Sequence, residues 1–158
     1  MTFNDVYDYL DKRGYGDRVM SFSVSSATVE LAAGAVGCEL ARIAKTLSFI
    51  TEEGAILIVT AGDMKVDNRK FKDVFKQKAR MIPFERVEEL TGFKPGGVCP
   101  FLAKEGVKVY LDASLSRFDV VYPAAGSSNS AVKLTVNELS LLCSSCGTVD
   151  VTRPIEYS

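Results

Sequence analysis

The run Gly92-Phe93-Lys94-Pro95-Gly96-Gly97-Val98-Cys99-Pro100-Phe101 places three glycines and two prolines within ten residues. Neither a regular helix nor a central strand tolerates that mixture. Glycine permits positive φ and close backbone approach. Proline fixes φ near −65° and removes an amide donor. The expected product is a stiff loop whose remaining N–H groups point at a ligand. The chain contains no histidine. Serine–histidine and cysteine–histidine nucleophile pairs are therefore excluded within one chain. Chemistry here must draw on backbone amides, lysine, carboxylates, hydroxyls or thiols.

Two other groups could do chemistry. The four cysteines are Cys38, Cys99, Cys143 and Cys146. Cys143-Ser-Ser-Cys146 has redox or zinc-knuckle spacing, but no second Cys-x-x-Cys and no histidine complete a zinc set. The plainer reading is a helix end, with Gly147 as its C-cap. Residues 65–80 carry Lys65, Arg69, Lys70, Lys72, Lys76, Lys78 and Arg80 against only Asp67 and Asp73. That stripe suits nucleic-acid phosphates or, equally, a solvated helix face. It stands out because the net charge is −1, which gives no global argument for a nucleic-acid or membrane partner.

These groups need a scaffold. A chain of 158 residues fits one domain over 1–158 with a substantial core. No apolar run approaches membrane-spanning length and no signal sequence is visible, so the expected compartment is the cytoplasm and no membrane partner is expected. Phe3, Val6, Tyr7 and Leu10 form one stripe of a helix over 3–13. Val19 to Val24 is a strand candidate. Ser25, Ser26 and Thr28 offer N-caps for an Ala-rich helix ending at Gly37. Ala44–Ile50 and Ala55–Thr60 flank Thr51-Glu52-Glu53-Gly54 and read as a hairpin. Asp67 caps a helix over 68–79, and Pro83 opens a short one over Phe84 to Leu90. Val107–Leu111, Val120–Pro123, Val132–Leu134 and Val149–Val151 read as strands, with a helical turn over Ala113 to Arg117. Thr135 and Glu138 make a capping box for a helix running to Ser144. Hairpins interspersed with helices predict an α/β (α+β) fold with a mixed sheet.

The ordered set Ala44-Lys45-Thr46-Leu47, Gly96-Gly97-Val98-Cys99-Pro100-Phe101, Asp112 and Tyr122-Pro123-Ala124-Ala125-Gly126-Ser127 resembles the YbaK/ProX-type prolyl-tRNA editing family. The resemblance covers about residues 20–145. It implies a mixed, curled β-sheet flanked by helices. It implies an aminoacyl-tRNA deacylase that hydrolyses the ester joining a wrong amino acid to tRNA, with alanine or cysteine on tRNA(Pro) as the family's substrates. It implies no cofactor and no metal. The mischarged tRNA acceptor end is the implied partner, with a synthetase or translation factor as a further one. The family's lysine falls on Lys45, its Gly-x-x-x-Pro loop on Gly96 to Pro100, and a strand-end aspartate on Asp112. Cys99 departs from the serine or threonine of many relatives. A tyrosine that some relatives carry has no counterpart around Phe22 to Ser26.

Ester hydrolysis builds negative charge on the carbonyl oxygen. A well-placed donor stabilises that charge by about 3–4 kcal/mol. Gly96, Gly97, Val98 and Cys99 can bring their backbone within reach, Pro100 fixes the loop's exit, and Lys45 supplies a cation. Lys65, Arg69, Lys70, Lys72 and Lys76 would track the acceptor-stem phosphates. Asp112 either orients water, binds the substrate ammonium or caps the following turn. Cys99 is either a thiolate nucleophile or a packing residue. The alternative to a hydrolase is a non-catalytic module of the same fold that holds a tRNA end or an aminoacyl small molecule. A redox protein built on Cys143 and Cys146 is the third class.

Overall fold

The computed structural model describes residues 1–26 and 28–156. The first helix, α1 (Phe3–Asp11), starts at a capping box between Thr2 and Asp5. A short strand, β1 (Val19–Ser21), and helix α2 (Val29–Val36) follow. Thr28 caps α2, and Gly37 closes it at φ 80. The hairpin is β2 (Ile43–Thr51) and β3 (Gly54–Ala61), antiparallel from Ala44↔Ala61 to Thr51↔Gly54. Then come β4 (Met64–Val66), α3 (Asn68–Phe75), α4 (Val87–Thr91), β5 (Lys108–Asp112), β6 (Val120–Pro123), β7 (Ser130–Val132) and β8 (Leu134–Thr135). The last elements are α5 (Val136–Leu142), β9 (Thr148–Val149) and β10 (Thr152–Pro154).

The main sheet has the order β8-β6-β2-β3-β5-β9. Its centre is the antiparallel β2–β3 hairpin, and β6 and β5 add to it in parallel. Two small antiparallel pairs, β1–β7 and β10–β4, close the margins. The result is the mixed, curled sheet with flanking helices that the resemblance implies. One face carries Ala44, Leu57, Val59 and Ala61 against Val6 and Leu10 of α1, Leu139 and Leu142 of α5, and Phe93, Cys99 and Phe101 of the glycine loop. On the other face Phe49, Ile56 and Ile58 pack against Phe71 of α3 and Val151. Alternation along β2 and β3 separates the two sets, as a period of two requires. Ala32 and Ala33 of α2 settle on Ile43, where small side chains permit close approach.

Several boundaries differ from expectation. The strand over Val19 to Val24 stops at Ser21, where Asn129 takes over the pairing through its carbonyl and the Phe22 amide. The helix expected to reach residue 79 stops at Phe75, because Lys76 turns left-handed at φ 60. Val132–Leu134 is not one strand: β7 pairs with β1 and β8 with β6, and the sheet changes partner at Lys133. The last long helix ends at Leu142 with Cys143, not Gly147, as its C-cap, and Ser144 turns left-handed straight after, at φ 51. Strand β4 was not expected from the sequence; three residues are too few to show alternation.

Candidate active site

The site arises where β2 loses its neighbour. β6 pairs only with Ile43 and Ala44. Further along the same edge, the Ile50 amide donates to the Arg80 carbonyl and the Ile82 amide to the Ser48 carbonyl. Even-numbered residues of β2 thus direct their backbone groups to this edge. Alternation aims the Thr46 amide and carbonyl into the gap between the two partners. Beside that gap lies a cavity of about 210 Å³. Its walls are the start of α2 (Thr28, Val29, Ala32), residues 43–46 of β2, Gly96 and Val98 of the loop, and Tyr122, Ala124, Ser130 and Ala131.

Lys45 is half-buried in this wall, and its Nζ donates to the Met64 carbonyl. Burial pulls its pKa below the ordinary lysine value, while the nearby charges of Asp63 and Glu30 oppose that shift. Asp63 is itself held by Arg117 through two hydrogen bonds of 2.6 and 3.0 Å. That hydrogen bonding keeps the Asp63 carboxyl below its usual range. A carboxylate fixed beside the lysine, but not ion-paired to it, leaves the ammonium available to a ligand.

The glycine loop divides its residues between cavity and core. Gly96, at φ 85, and Val98 line the cavity. Gly97 backs onto the turn at Gly126 and Ser127, where an added Cβ would lie 3.2 Å from the Ser127 Cα. Cys99 turns the other way and is 0 % exposed. Its Sγ donates to the Phe101 carbonyl at 3.6 Å. Burial pushes its thiol up to about 12. Pro100 lines a separate surface groove with Tyr9 and Leu102. The burial of Cys99 in the core, away from the cavity, argues against a thiolate nucleophile and for the packing role. Cys99→Ala is expected to keep activity within about twofold and to cost roughly 1–2 kcal/mol of stability as a core truncation. Alkylating reagents should label exposed Cys146 in the native protein and spare Cys99. Rapid labelling of Cys99, or loss of turnover in folded Cys99→Ala, would overturn this.

Asp112 takes the capping role that was one of the expectations for it. It is 1 % exposed and does not line the cavity. Its Oδ1 accepts from the Val151 amide at 2.9 Å. Its Oδ2 accepts from the Ser114 amide at 3.0 Å and the Thr152 hydroxyl at 2.7 Å. The aspartate caps the helical turn and ties down the C-terminal segment, which leaves it no role in orienting water or substrate.

The basic stripe divides as well. Lys70 is occupied by Asp150 at 3.1 Å and the Thr152 carbonyl at 2.9 Å. Arg69, Lys72 and Lys76 share an exposed depression with Asp73, and Lys78 adjoins it. Lys65 is exposed on β4, next to the Met64 carbonyl that holds Lys45. None of these cations lines the cavity.

Ser130 and Thr28 were not expected from the sequence. Ser130 Oγ accepts from the Ala125 amide at 3.3 Å and from Ser127 Oγ at 2.8 Å, which fixes the far wall. Its position after the small-residue turn at 124–128 was the available signal. All four cysteines are free, and burial pushes the Cys143 thiol up to about 11, the reverse of what a redox pair needs. Among the described residues no group of three or more Cys, Asp or Glu side chains could hold a metal ion, and no helix is long and apolar enough to cross a membrane.

Known proteins are similar to this chain in sequence and in fold. "Uncharacterized protein YwhH" of Bacillus subtilis (strain 168) is 46% identical over 157 residues, covering 99% of this chain and 100% of that protein. A solved structure of a protein proposed to be a trans-editing enzyme for prolyl tRNA synthetase superposes with TM-score 0.85 at 32% identity, covering 96% of each chain. The crystal structure of hypothetical protein APE2540 gives TM-score 0.82 at 25% identity, over 94% of this chain and 99% of that one. The pattern of the aminoacyl-tRNA editing domain matches residues 24–141, a span that holds the lysine, the glycine loop and both walls of the cavity. The chain belongs to the aminoacyl-tRNA editing domain family.

Proposed function

We propose that this protein is a free-standing hydrolase that deacylates mischarged tRNA, of the Cys- or Ala-tRNA(Pro) type. The observation that carries the reading is that Lys45 and the loop residues Gly96 and Val98 line one small cavity beside the edge of β2. The aminoacyl group enters the cavity with its ester carbonyl toward the loop amides and the Lys45 ammonium. The Met64 carbonyl holds Lys45 before substrate arrives, so charge developing on the oxygen meets a donor that needs little reorganisation. Among the described residues no carboxylate or imidazole lines the cavity to act as a general base. The attacking oxygen is therefore a positioned water or the ribose hydroxyl next to the ester. The likeness to a protein proposed to edit for prolyl tRNA synthetase favours tRNA(Pro) and makes a synthetase a natural partner. Cavity size alone separates alanine from cysteine weakly, since one methyl-sized difference changes binding by only about 1–3 kcal/mol.

The deciding experiment is a deacylation assay on a panel of mischarged tRNAs, with Lys45→Ala as control. Turnover of Cys- or Ala-tRNA(Pro) by the wild type alone supports the reading. Full activity in folded Lys45→Ala refutes the mechanism. Tight tRNA binding without turnover on any substrate would favour the non-catalytic module.

Acceptor-stem binding through Arg69, Lys72 and Lys76 predicts a steep salt dependence. With three phosphate contacts, affinity for tRNA should fall roughly 20–40-fold between 50 and 200 mM salt, and Lys72→Ala/Lys76→Ala should flatten the log–log slope by nearly 2. A salt-independent affinity would remove this surface from the interface.

A further inference from the structure

Among the described residues, four Ser and Thr side chains line the cavity: Ser26, Thr28, Thr46 and Ser130. Three of their hydroxyls are already engaged. Ser26 Oγ donates to the Ser128 carbonyl at 3.2 Å, and Thr28 Oγ1 accepts from the Leu31 amide at 3.2 Å. Ser130 Oγ accepts from the Ala125 amide and from Ser127 Oγ. Thr46 differs: its Oγ1 is shielded from solvent and has no hydrogen-bond partner among the described residues. A buried hydroxyl left unpaired weakens the fold, whereas valine would fill the same space without that penalty.

Register fixes where this side chain sits. Thr46 faces Val59 across the β2–β3 ladder, and residues directly opposite share a face of the sheet. Val59 packs in one core with Phe93, Cys99 and Phe101, so Thr46 lies on the face that the glycine loop covers. Much of the cavity wall is apolar, with Val29, Ala32, Ile43, Val98, Ala124 and Ala131 in it. A tRNA end is too large for a cavity of about 210 Å³, which leaves the ester near the mouth and the amino-acid side chain innermost. A hydroxyl closed to water matches that innermost group. A charged ammonium would have to shed its hydration to meet it, and a neutral hydroxyl or thiol does so at far lower cost. With no hydrogen bond to break, Thr46 can turn about Cα–Cβ to another staggered position and present Oγ1 to a ligand.

We propose that Thr46 selects the aminoacyl side chain: its hydroxyl bonds a β-hydroxyl or β-thiol, so that seryl and cysteinyl esters are preferred to alanyl. The inference rests on the deacylase reading for the ester and its tRNA, and it narrows the substrate class of that site. A wall that hydrogen-bonds a substrate group rejects the analogue lacking it far more sharply than cavity size does.

The test uses the intact chain with Ser-, Cys- and Ala-tRNA(Pro) as substrates. The matching aminoacyl adenosines, with a 3′-amide in place of the ester, serve as non-hydrolysable probes. Wild type should favour seryl and cysteinyl over alanyl, both in kcat/KM and in probe affinity. Thr46→Val should cut both preferences by about tenfold, with a melting temperature level with the wild type or above it. Thr46→Ser keeps the hydroxyl and should retain them. A wild type that prefers alanyl, a preference that survives in Thr46→Val, or one lost equally in Thr46→Ser overturns the role. Equal losses on all three esters overturn it too, because they would mark a structural defect. Probe discrimination that depends on Thr46, without turnover of any ester, would sink the deacylase reading and leave Thr46 its role. Turnover whose side-chain preference ignores Thr46 would do the reverse. Binding of no probe and turnover of no ester would sink both.

Discussion

Lys45→Met is expected to lower kcat/KM for deacylation by about 100- to 1000-fold, the usual loss for one preorganised oxyanion partner, while the melting temperature stays level or rises. The stability half of that expectation comes from linkage. Burial sets the folded-state pKa of Lys45 below its ordinary value. The unfolded chain then binds the proton more tightly than the folded one. The ammonium therefore costs stability at neutral pH, and the cost shrinks as pH rises through the folded pKa. Methionine keeps the aliphatic stem and removes the buried charge. The Met64 carbonyl loses its donor but lies on a margin strand, where water can replace it. Under the proposed mechanism, that stability cost is what the ammonium's place beside the substrate requires. The same shift has a kinetic consequence. The wild type's advantage over Lys45→Met should decline with rising pH sooner than a fully solvated lysine would allow. Steady-state kinetics from pH 7 upward, beside thermal melts of both proteins, provide the check. A methionine variant that loses stability in step with activity would make Lys45 a structural residue instead.

The sequence made the site's chemistry legible through residues whose roles are local. Gly96 and Gly97 announce a backbone that must turn left-handed or be approached closely, and the structure uses them in those two ways. The Thr135–Glu138 capping box and the two-residue turn at Glu52-Glu53 are likewise complete within a few positions. What stayed hidden depends on long-range pairing. The gap at Thr46 exists because β6 stops pairing at Ala44 and residues 80–82 begin at Ser48, and neither stop leaves a mark on β2 itself. Cys99 directly follows Val98, which lines the cavity, yet the loop's exit turns its side chain into the core. The basic stripe reads as continuous in the sequence. In space Lys70 is drawn off by Asp150 and Thr152, eighty residues away.

Asp112 shows the largest gap between what a residue type suggests and what its surroundings do with it, and its replacement should have the largest effect on stability. Asp112→Ala removes the acceptor for the Val151 amide, the Ser114 amide and the Thr152 hydroxyl at once. Each buried donor left unsatisfied costs about 1–3 kcal/mol. Partial relaxation keeps the sum near roughly 3–5 kcal/mol, a severe loss for a domain whose total stability is of order 5–15 kcal/mol. For a chain of this size that corresponds to a melting temperature lower by roughly 6–20 °C. Asp112→Asn keeps the shape but turns an amide N–H₂ toward donors, so it should recover only part of the loss. Thr152→Val, which removes one of the three partners, should cost about 1 kcal/mol. These changes act on the tie between β5 and the C-terminal segment, whose strand β10 supports β4 and so the carbonyl that holds Lys45. Below its melting range, Asp112→Asn should therefore keep kcat within about twofold of the wild type, as expected for a site outside the cavity. Thermal melts and single-turnover deacylation at 20 °C measure the two effects separately. A large drop in kcat with an unchanged melting temperature would return Asp112 to the chemistry. The opposite pattern fixes it as the clamp that lets β4 and β10 close the sheet beside Lys45.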